Sequence, residues 1–204
     1  MKLSASAAPT GALRPVPLRW RKEVGRVLIT EQQIASRVRQ LSRQIERDFR
    51  EREMVIVSLL TGTIMFLADL VRHISLPLRL DFIGVSSYGA GTQSGDLIFT
   101  KELRLDVRAR DVLLVDDILD TGRTMTHVLK KLRALKPRRI KTCVLLDKPA
   151  RRIKKISADY VGFEIPDYFV VGYGLDFGER FRNLPFVGVL HRQLCEPAAN
   201  HKPH

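Results

Sequence analysis

Cysteine, clustered histidine and long uncharged runs are scarce in this sequence, and each scarcity removes a class of function. The two cysteines, Cys143 within an apolar stretch and Cys195 near the end, lack metal-ligand spacing, so free thiols in a reducing cytoplasm are expected. The five histidines are scattered, with His201 and His204 in the last residues, which leaves no zinc motif. The one long uncharged stretch, Met54 to Ala68, has fifteen residues where about 20 are needed to cross a bilayer, and Thr61-Gly62-Thr63 interrupts it. No membrane partner is expected. Residues 1–18 are rich in alanine, serine and proline but contain no apolar core, so they read as a disordered extension rather than a secretory signal. There is no internal repeat, and Trp20, the single tryptophan, reads as packing.

Acidic residues are outnumbered, 22 against 35 basic ones, for a net charge of +13. Clusters such as Pro137-Arg138-Arg139 and Arg151-Arg152-Ile153-Lys154-Lys155 would suit phosphate contacts. Acidic residues are interspersed along the whole chain, however, and a small substrate carrying several phosphates would benefit from the same positive field. Nucleic acid is therefore not taken as a partner. With 204 residues, 45% hydrophobic and 28% charged, the chain fits one globular domain with an ordinary core.

The apolar pattern alternates between strand and helix. Thr30-Glu31-Gln32-Gln33 has the form of a capping box, and Ile34, Val38, Leu41, Ile45 and Phe49 follow at helical spacing. Met54 to Leu60 reads as a buried strand, Ile64 to about Ile74 as a helix, and Arg79 to Val85 as the next strand. Strand Val112–Asp116, helix Met125–Leu135 and strand Ile140–Leu146 continue the series, which predicts an α/β fold with a parallel sheet and right-handed crossovers. After Ile156 come shorter elements at Tyr160–Gly162, Phe169–Tyr173 and Phe186–Leu190.

The chain is organised around residues 112–125, VLLVDDILDTGRTM. An apolar strand runs into Asp116 and Asp117, and Asp120 to Thr124 form the turn into a helix. Free amides, the positive end of the helix dipole, Gly122 and the hydroxyls of Thr121 and Thr124 make that turn a phosphate site. Three carboxylates beside an anion site require a ligand that is more than phosphate, one with hydroxyls, a metal ion or a proton to offer. Other marked segments fall at strand ends too: Thr61-Gly62 after the first strand, Ser87-Tyr88 after the second and Lys148 after the fourth. The glycines Gly89, Gly91 and Gly95 suit a moving flap.

VLLVDDILDTGRTM resembles the phosphoribosyl-pyrophosphate signature of the type I phosphoribosyltransferases. Ser58-Leu59-Leu60-Thr61-Gly62, Ser86-Ser87-Tyr88-Gly89, Leu145-Leu146-Asp147-Lys148-Pro149 and residues 163–176 extend the likeness, over about residues 20–191, to the hypoxanthine-guanine branch. The resemblance implies a type I phosphoribosyltransferase-like parallel sheet flanked by helices, with a small hood subdomain. The phosphoribosyltransferase domain would span 19–193, the hood coming from 19–30 and about 160–193, and 194–204 would be a flexible tail. It implies phosphoribosyl binding by Asp116, Asp117, Asp120, Thr121, Gly122, Arg123 and Thr124, with Asp120 as the general base. Leu60, Thr61, Gly62 and Arg182 would bind pyrophosphate; Lys148, Phe169 and Val170 would bind the base; Ser87 and Tyr88 would form the lid. Asp176, with Asp116 and Asp117, would hold Mg²⁺. Two residues depart from the family's habit. Asp116 stands where Glu is common, and Thr61 where Lys or Arg is frequent. Phosphoribosyl pyrophosphate and 6-oxopurines are the implied substrates, and a homodimer or homotetramer the implied assembly. Two alternatives stay open: a regulator of the same fold that binds RNA and senses nucleotides, and the same reaction on xanthine or another base.

Overall fold

The computed structural model describes residues 16–50, 52–87 and 97–195. Strand β1 (Val24–Ile29) leads into α1 (Glu31–Asp48), whose start is fixed by the expected capping box: the Gln33 amide donates to Thr30 Oγ1 at 3.3 Å, and the Thr30 amide to Gln33 Oε1 at 2.8 Å. There follow β2 (Met54–Leu60), α2 (Ile64–Arg72), β3 (Leu78–Ser87), β4 (Leu97–Lys101), β5 (Asp111–Leu119), α3 (Arg123–Ala134), β6 (Arg139–Asp147), β7 (Tyr160–Glu164), β8 (Val170–Val171), β9 (Val187–Leu190) and α4 (Arg192–Cys195).

Six strands form the main sheet in the order β4-β3-β2-β5-β6-β7, all parallel except β4. Because side chains alternate across a strand, the apolar runs of β2 and β5 divide between two faces. Met54, Ile56, Leu113 and Val115 pack with Ile34, Val38, Leu41 and Ile45 of α1 and Phe66 and Leu70 of α2. Val55, Val57, Val112 and Leu114 pack with Met125, Val128, Leu129 and Leu132 of α3. No helix among the described residues is long and apolar enough to cross a membrane.

A second, three-stranded sheet, β1-β9-β8, is antiparallel and has its own apolar cluster of Val24, Val27, Val171, Phe181, Leu184, Phe186 and Leu190. This is the hood. Val16, within the stretch read as an extension, is buried in the same cluster. The structure corrects three of the expectations. Strand β7 pairs with β6 in the main sheet, so the second hood segment starts after Glu164 rather than near 160. Strand β4, not expected, pairs with the outer edge of β3. Strand β5 runs past the acidic pair to Leu119, because β6 continues beside it and aligns Ile118 with Leu146 and Leu119 with Asp147. Tyr88 and most of the glycine-rich lid segment lie outside the described residues.

The return from β4 is held by one buried carboxylate. Asp81 accepts from the amides of Phe82 at 2.7 Å, Arg104 at 2.6 Å and Leu105 at 2.9 Å, and from Lys101 Nζ at 3.1 Å. Burial by itself would raise its pKa; the three amides and Lys101 outweigh it and bring the group from 3.8 to about 2. A carboxylate depressed on folding contributes stability above its unfolded pKa and loses it as pH falls through the folded one. The interval from 3.8 to about 2 corresponds to about 2 kcal/mol. Asp81→Ala is expected to lower unfolding free energy at pH 7 by about 2–3 kcal/mol in urea titrations. The gap to the unaltered protein should narrow as pH is lowered from about 4 to about 2.

Candidate active site

A cleft of about 220 Å³ opens at the carboxyl ends of β2 and β5, where open α/β sheets carry their ligands. Leu60, Gly62 and Thr63 form one wall; Asp116 to Gly122, with Thr124, form the other. Phosphoribosyl candidates Asp116, Asp117, Asp120, Thr121, Gly122 and Thr124 are thus brought together, while Arg123 is exposed outside the lining. Gly122 sits at φ 81° and a Cβ there would lie 2.7 Å from Ile156 Cγ2, so no larger residue makes this turn without displacing its floor. The first amides of α3 have no acceptor within the helix; Gly122 at the N-cap offers none, and Thr121 Oγ1 accepts only from the Arg123 amide, at a long 3.4 Å.

Asp116 is buried and Asp117 half-buried beside it, the Asp117 amide donating to Asp116 Oδ1 at 3.0 Å. Burial first, and then the Asp117 charge, push the Asp116 carboxyl well above the usual carboxylate range. Burial raises Asp117 as well, opposed by its hydrogen bonds and by the Arg182 guanidinium. Burial and the neighbouring charge both favour the protonated form of Asp116, which eases the conflict of several carboxylates next to an anion site.

Asp117 also explains Gly62. A Cβ on Gly62 would lie 1.8 Å from Asp117 Oδ2, and a Cβ on Gly174, at φ 100°, would lie 1.9 Å from the Gly62 carbonyl oxygen. The loop after β2 is therefore wedged between the acidic pair and the hood. The peptide bond joining Leu60 and Thr61 is cis. The Thr61 side chain is exposed and does not line the cleft, whereas its neighbours Leu60 and Gly62 do. From the hood, Arg182 Nη1 donates to the Gly174 carbonyl at 2.9 Å and pairs with Asp176 Oδ1 at 2.9 Å. Asp176 Oδ2 accepts from the Glu179 amide at 3.0 Å.

Lys148 is buried at the start of the turn after β6 and its amide donates to the Leu119 carbonyl at 3.0 Å, so strand pairing places it beside Asp120. Burial lowers its pKa; Asp120 and Asp167 pull upward and Arg151 pulls downward. Phe169, 46% exposed, presents its ring edge-on to Phe177 at 5.4 Å. Its carbonyl accepts from the Leu190 amide at 2.9 Å. Alternate residues of an antiparallel strand turn their backbone groups to opposite edges, so Val170 on edge strand β8 directs its amide and carbonyl away from β9. Ser87 closes β3.

Three residues of the site were missed by the sequence reading. Thr63 contributes a buried hydroxyl to the cleft wall, where it acts on Asp116 and favours its charged form. Arg152 Nη1 donates to the Leu119 carbonyl at 2.9 Å and also to that of Asp120, while Nη2 pairs with Asp147. Arg151 Nε lies 3.0 Å from Asp120 Oδ1. The amides of Ile153 and Lys154 add bonds to the Thr121 carbonyl at 3.0 and 3.1 Å. Through Arg152, Ile153 and Lys154, the basic run that was legible only as charge braces the turn between β5 and α3.

A family model described as the phosphoribosyl transferase domain matches residues 28–178. The chain belongs to this family. It is 43% identical over 175 residues to a hypoxanthine-guanine phosphoribosyltransferase of Bacillus subtilis, covering 85% of this chain and 97% of that protein. A crystal structure of a Staphylococcus aureus hypoxanthine phosphoribosyltransferase superposes with a TM-score of 0.84 at 38% identity, covering 90% of this chain and all of that one. The chain is also 42% identical over 173 residues to the bifunctional protein TilS/HprT of Listeria monocytogenes, but spans only 27% of its length.

Phosphoribosyltransferases of this family require a divalent cation, and the residues present fit one kind of site. Among the described residues no three carboxylate, imidazole or thiol groups converge as a metal cage. Asp176 pairs with Arg182 in the hood, and Asp116 and Asp117 stand next to each other in the lining of the cleft. Such a set suits a hard cation that arrives on a polyphosphate with its own oxygens and water, taking one or two carboxylate contacts from the protein.

The wedge at Gly62 gives a direct test. Gly62→Ala must displace the Asp117 carboxylate, and misplacement by about 1 Å can cost about 10²-fold in turnover. We expect kcat/KM for the phosphoribosyl donor to fall by about that factor; a value within about twofold of the unaltered enzyme would mean that Asp117 does not rest on Gly62 during the reaction.

Proposed function

We propose that this chain transfers the 5-phosphoribosyl group from phosphoribosyl pyrophosphate to hypoxanthine or guanine, giving IMP or GMP and pyrophosphate, in purine salvage. The observation that carries this is the meeting, in one cleft, of the phosphate loop, the acidic pair and Asp120 next to buried Lys148. The 5-phosphate would occupy the amides of Thr121 to Thr124, and Asp116 and Asp117 would face the ribose hydroxyls. Mg²⁺ bound by the pyrophosphate, near Asp176 and the acidic pair, would supply the charge that lets pyrophosphate leave. Leu60, Thr61, Gly62 and Arg182 would bind the departing pyrophosphate. As purine N9 bonds to C1 of the ribose and the C1–O bond to pyrophosphate breaks, Asp120 would take the proton from N7. Phe169 would stack on the base, the Val170 carbonyl would receive the 2-amino group of guanine, and Ser87 and Tyr88 would belong to the lid.

The charge of +13 loses weight as a sign of RNA binding, because several cations are committed internally: Arg52, Arg138 and Arg139 surround the fully buried Asp111 at 3.7, 2.8 and 3.3 Å. A homodimer or homotetramer is part of the same proposal; Ile64 and Met65, 45% and 40% exposed at the start of α2, are suited to a contact between copies. A cytoplasmic setting accords with the buried free thiol of Cys143.

The deciding experiment is a spectrophotometric assay with phosphoribosyl pyrophosphate, Mg²⁺ and a panel of bases. Turnover of hypoxanthine and guanine supports the proposal; steeply salt-dependent RNA binding without turnover supports the regulator instead. Two outcomes are specific. Asp120→Asn is expected to lower kcat by about 10²- to 10⁴-fold, with a much smaller change in substrate binding. Adenine is expected to be a very poor substrate, because the Lys148 ammonium would face an amino group where an oxopurine offers an acceptor, and such sites reject the wrong group by about 10⁴-fold. Lys148→Ala should lose oxopurine activity without gaining adenine; kcat/KM for adenine within about tenfold of hypoxanthine would show that Lys148 does not read position 6.

A further inference from the structure

Lys148 immediately precedes the short 3₁₀ turn Pro149–Arg151, which Arg151 ends, and the Arg151 amide donates to the Lys148 carbonyl at 3.2 Å. The turn brings the two cations near enough for the Arg151 charge to act on Lys148. Both meet Asp120. Arg151 Nε is 3.0 Å from Asp120 Oδ1, and its Nη1 is 3.6 Å from Asp167 Oδ1 in the segment that leads into the hood. That Asp120 oxygen is shielded from solvent and receives no directed hydrogen bond, so the guanidinium holds it by charge while leaving its lone pairs unclaimed.

The arrangement removes a conflict built into the site. A buried ammonium and a carboxylate left to themselves would close on each other, and Lys148 does feel the attraction of Asp120. In that pair neither group would be free: the ammonium would not reach a purine oxygen, and the carboxylate would not accept a purine proton. A guanidinium, planar and multiply donating, can satisfy two carboxylates at once, which a lysine in the same place could do less well. Resting on the reading of phosphoribosyl transfer to an oxopurine, we propose that Arg151 is a positioning residue that holds Asp120 as the proton acceptor and keeps it apart from Lys148. Asp167 anchors the far side of the guanidinium and links this arrangement to the hood.

The test is a double-mutant cycle of Arg151→Ala and Asp120→Asn on the full chain, assayed with hypoxanthine and phosphoribosyl pyrophosphate. Arg151→Ala is expected to lower kcat by about 10-fold or more with KM for the donor changed by less than about twofold, and Arg151→Lys to recover part of the loss. In the Asp120→Asn background the same change should lower kcat by less than about twofold, because a residue that acts through Asp120 has nothing left to act on. Retained or increased kcat in Arg151→Ala, or an equal fall in both backgrounds, overturns the proposal, the last because it marks a general structural role. Arg151→Gln, measured in parallel, decides the matter if the alanine variant does not fold. Absence of turnover by the unaltered protein would instead overturn the functional reading, so the two failures are distinct.

Discussion

Burial of β5 between β2 and β6 is the constraint on which the rest of the molecule depends. Val112 to Val115 are shielded on both faces, by α1 and α2 on one side and α3 on the other, and both edges of the strand are paired in parallel. A strand so enclosed has one register, since a slip of one residue would exchange the two buried faces. Its carboxyl end is therefore a fixed point. Asp116, Asp117 and the phosphate loop take their positions from it, and Lys148 takes its own from the neighbouring end of β6 through the bond to the Leu119 carbonyl.

The hood is fitted to this fixed point by contacts that leave little freedom. Gly174 rests on the Gly62 carbonyl, Gly62 on the Asp117 carboxylate, and Tyr173 Oη donates to Asp69 Oδ2 of α2 at 2.7 Å. Arg182 spans the same junction, bonding the Gly174 carbonyl and lending its field to Asp117. The loop after β2 is consequently shaped from both sides, by the core sheet below and the hood above. Residues of the hood far along the chain thereby reach the site without belonging to the parallel sheet.

Electrostatics in the cleft depend on pairing more than on net charge. Burial raises the pKa of both Asp116 and Asp117, and the Asp117 charge adds to the rise at Asp116. Arg152 spends its charge on backbone carbonyls and Asp147 beneath the phosphate loop, and Arg151 on Asp120 and Asp167. A count of basic residues cannot separate these uses from a solvated patch, which is why the run at 151–155 suggested nucleic acid in the sequence and serves as a brace in the fold.

The sequence by itself determined the parallel α/β architecture, the capped start of α1 and the phosphate turn, because each rests on local rules: apolar periodicity, a Thr-to-Gln capping pair, and a glycine between strand and helix. It also marked Asp116, Asp117, Asp120 and Lys148 as candidates, since they sit at or just beyond the ends of strands that periodicity alone could place. Tertiary structure decided what depends on partners distant in sequence. It extended β5 to Leu119 through pairing with β6, moved β7 from the hood into the main sheet, and turned Thr61 away from the cleft. It also brought Thr63 and Arg151 to the site, and no local pattern could have announced them. A side chain's hydrogen-bond partner and its charge state are properties of the space around it, and that space exists only once the strands have paired.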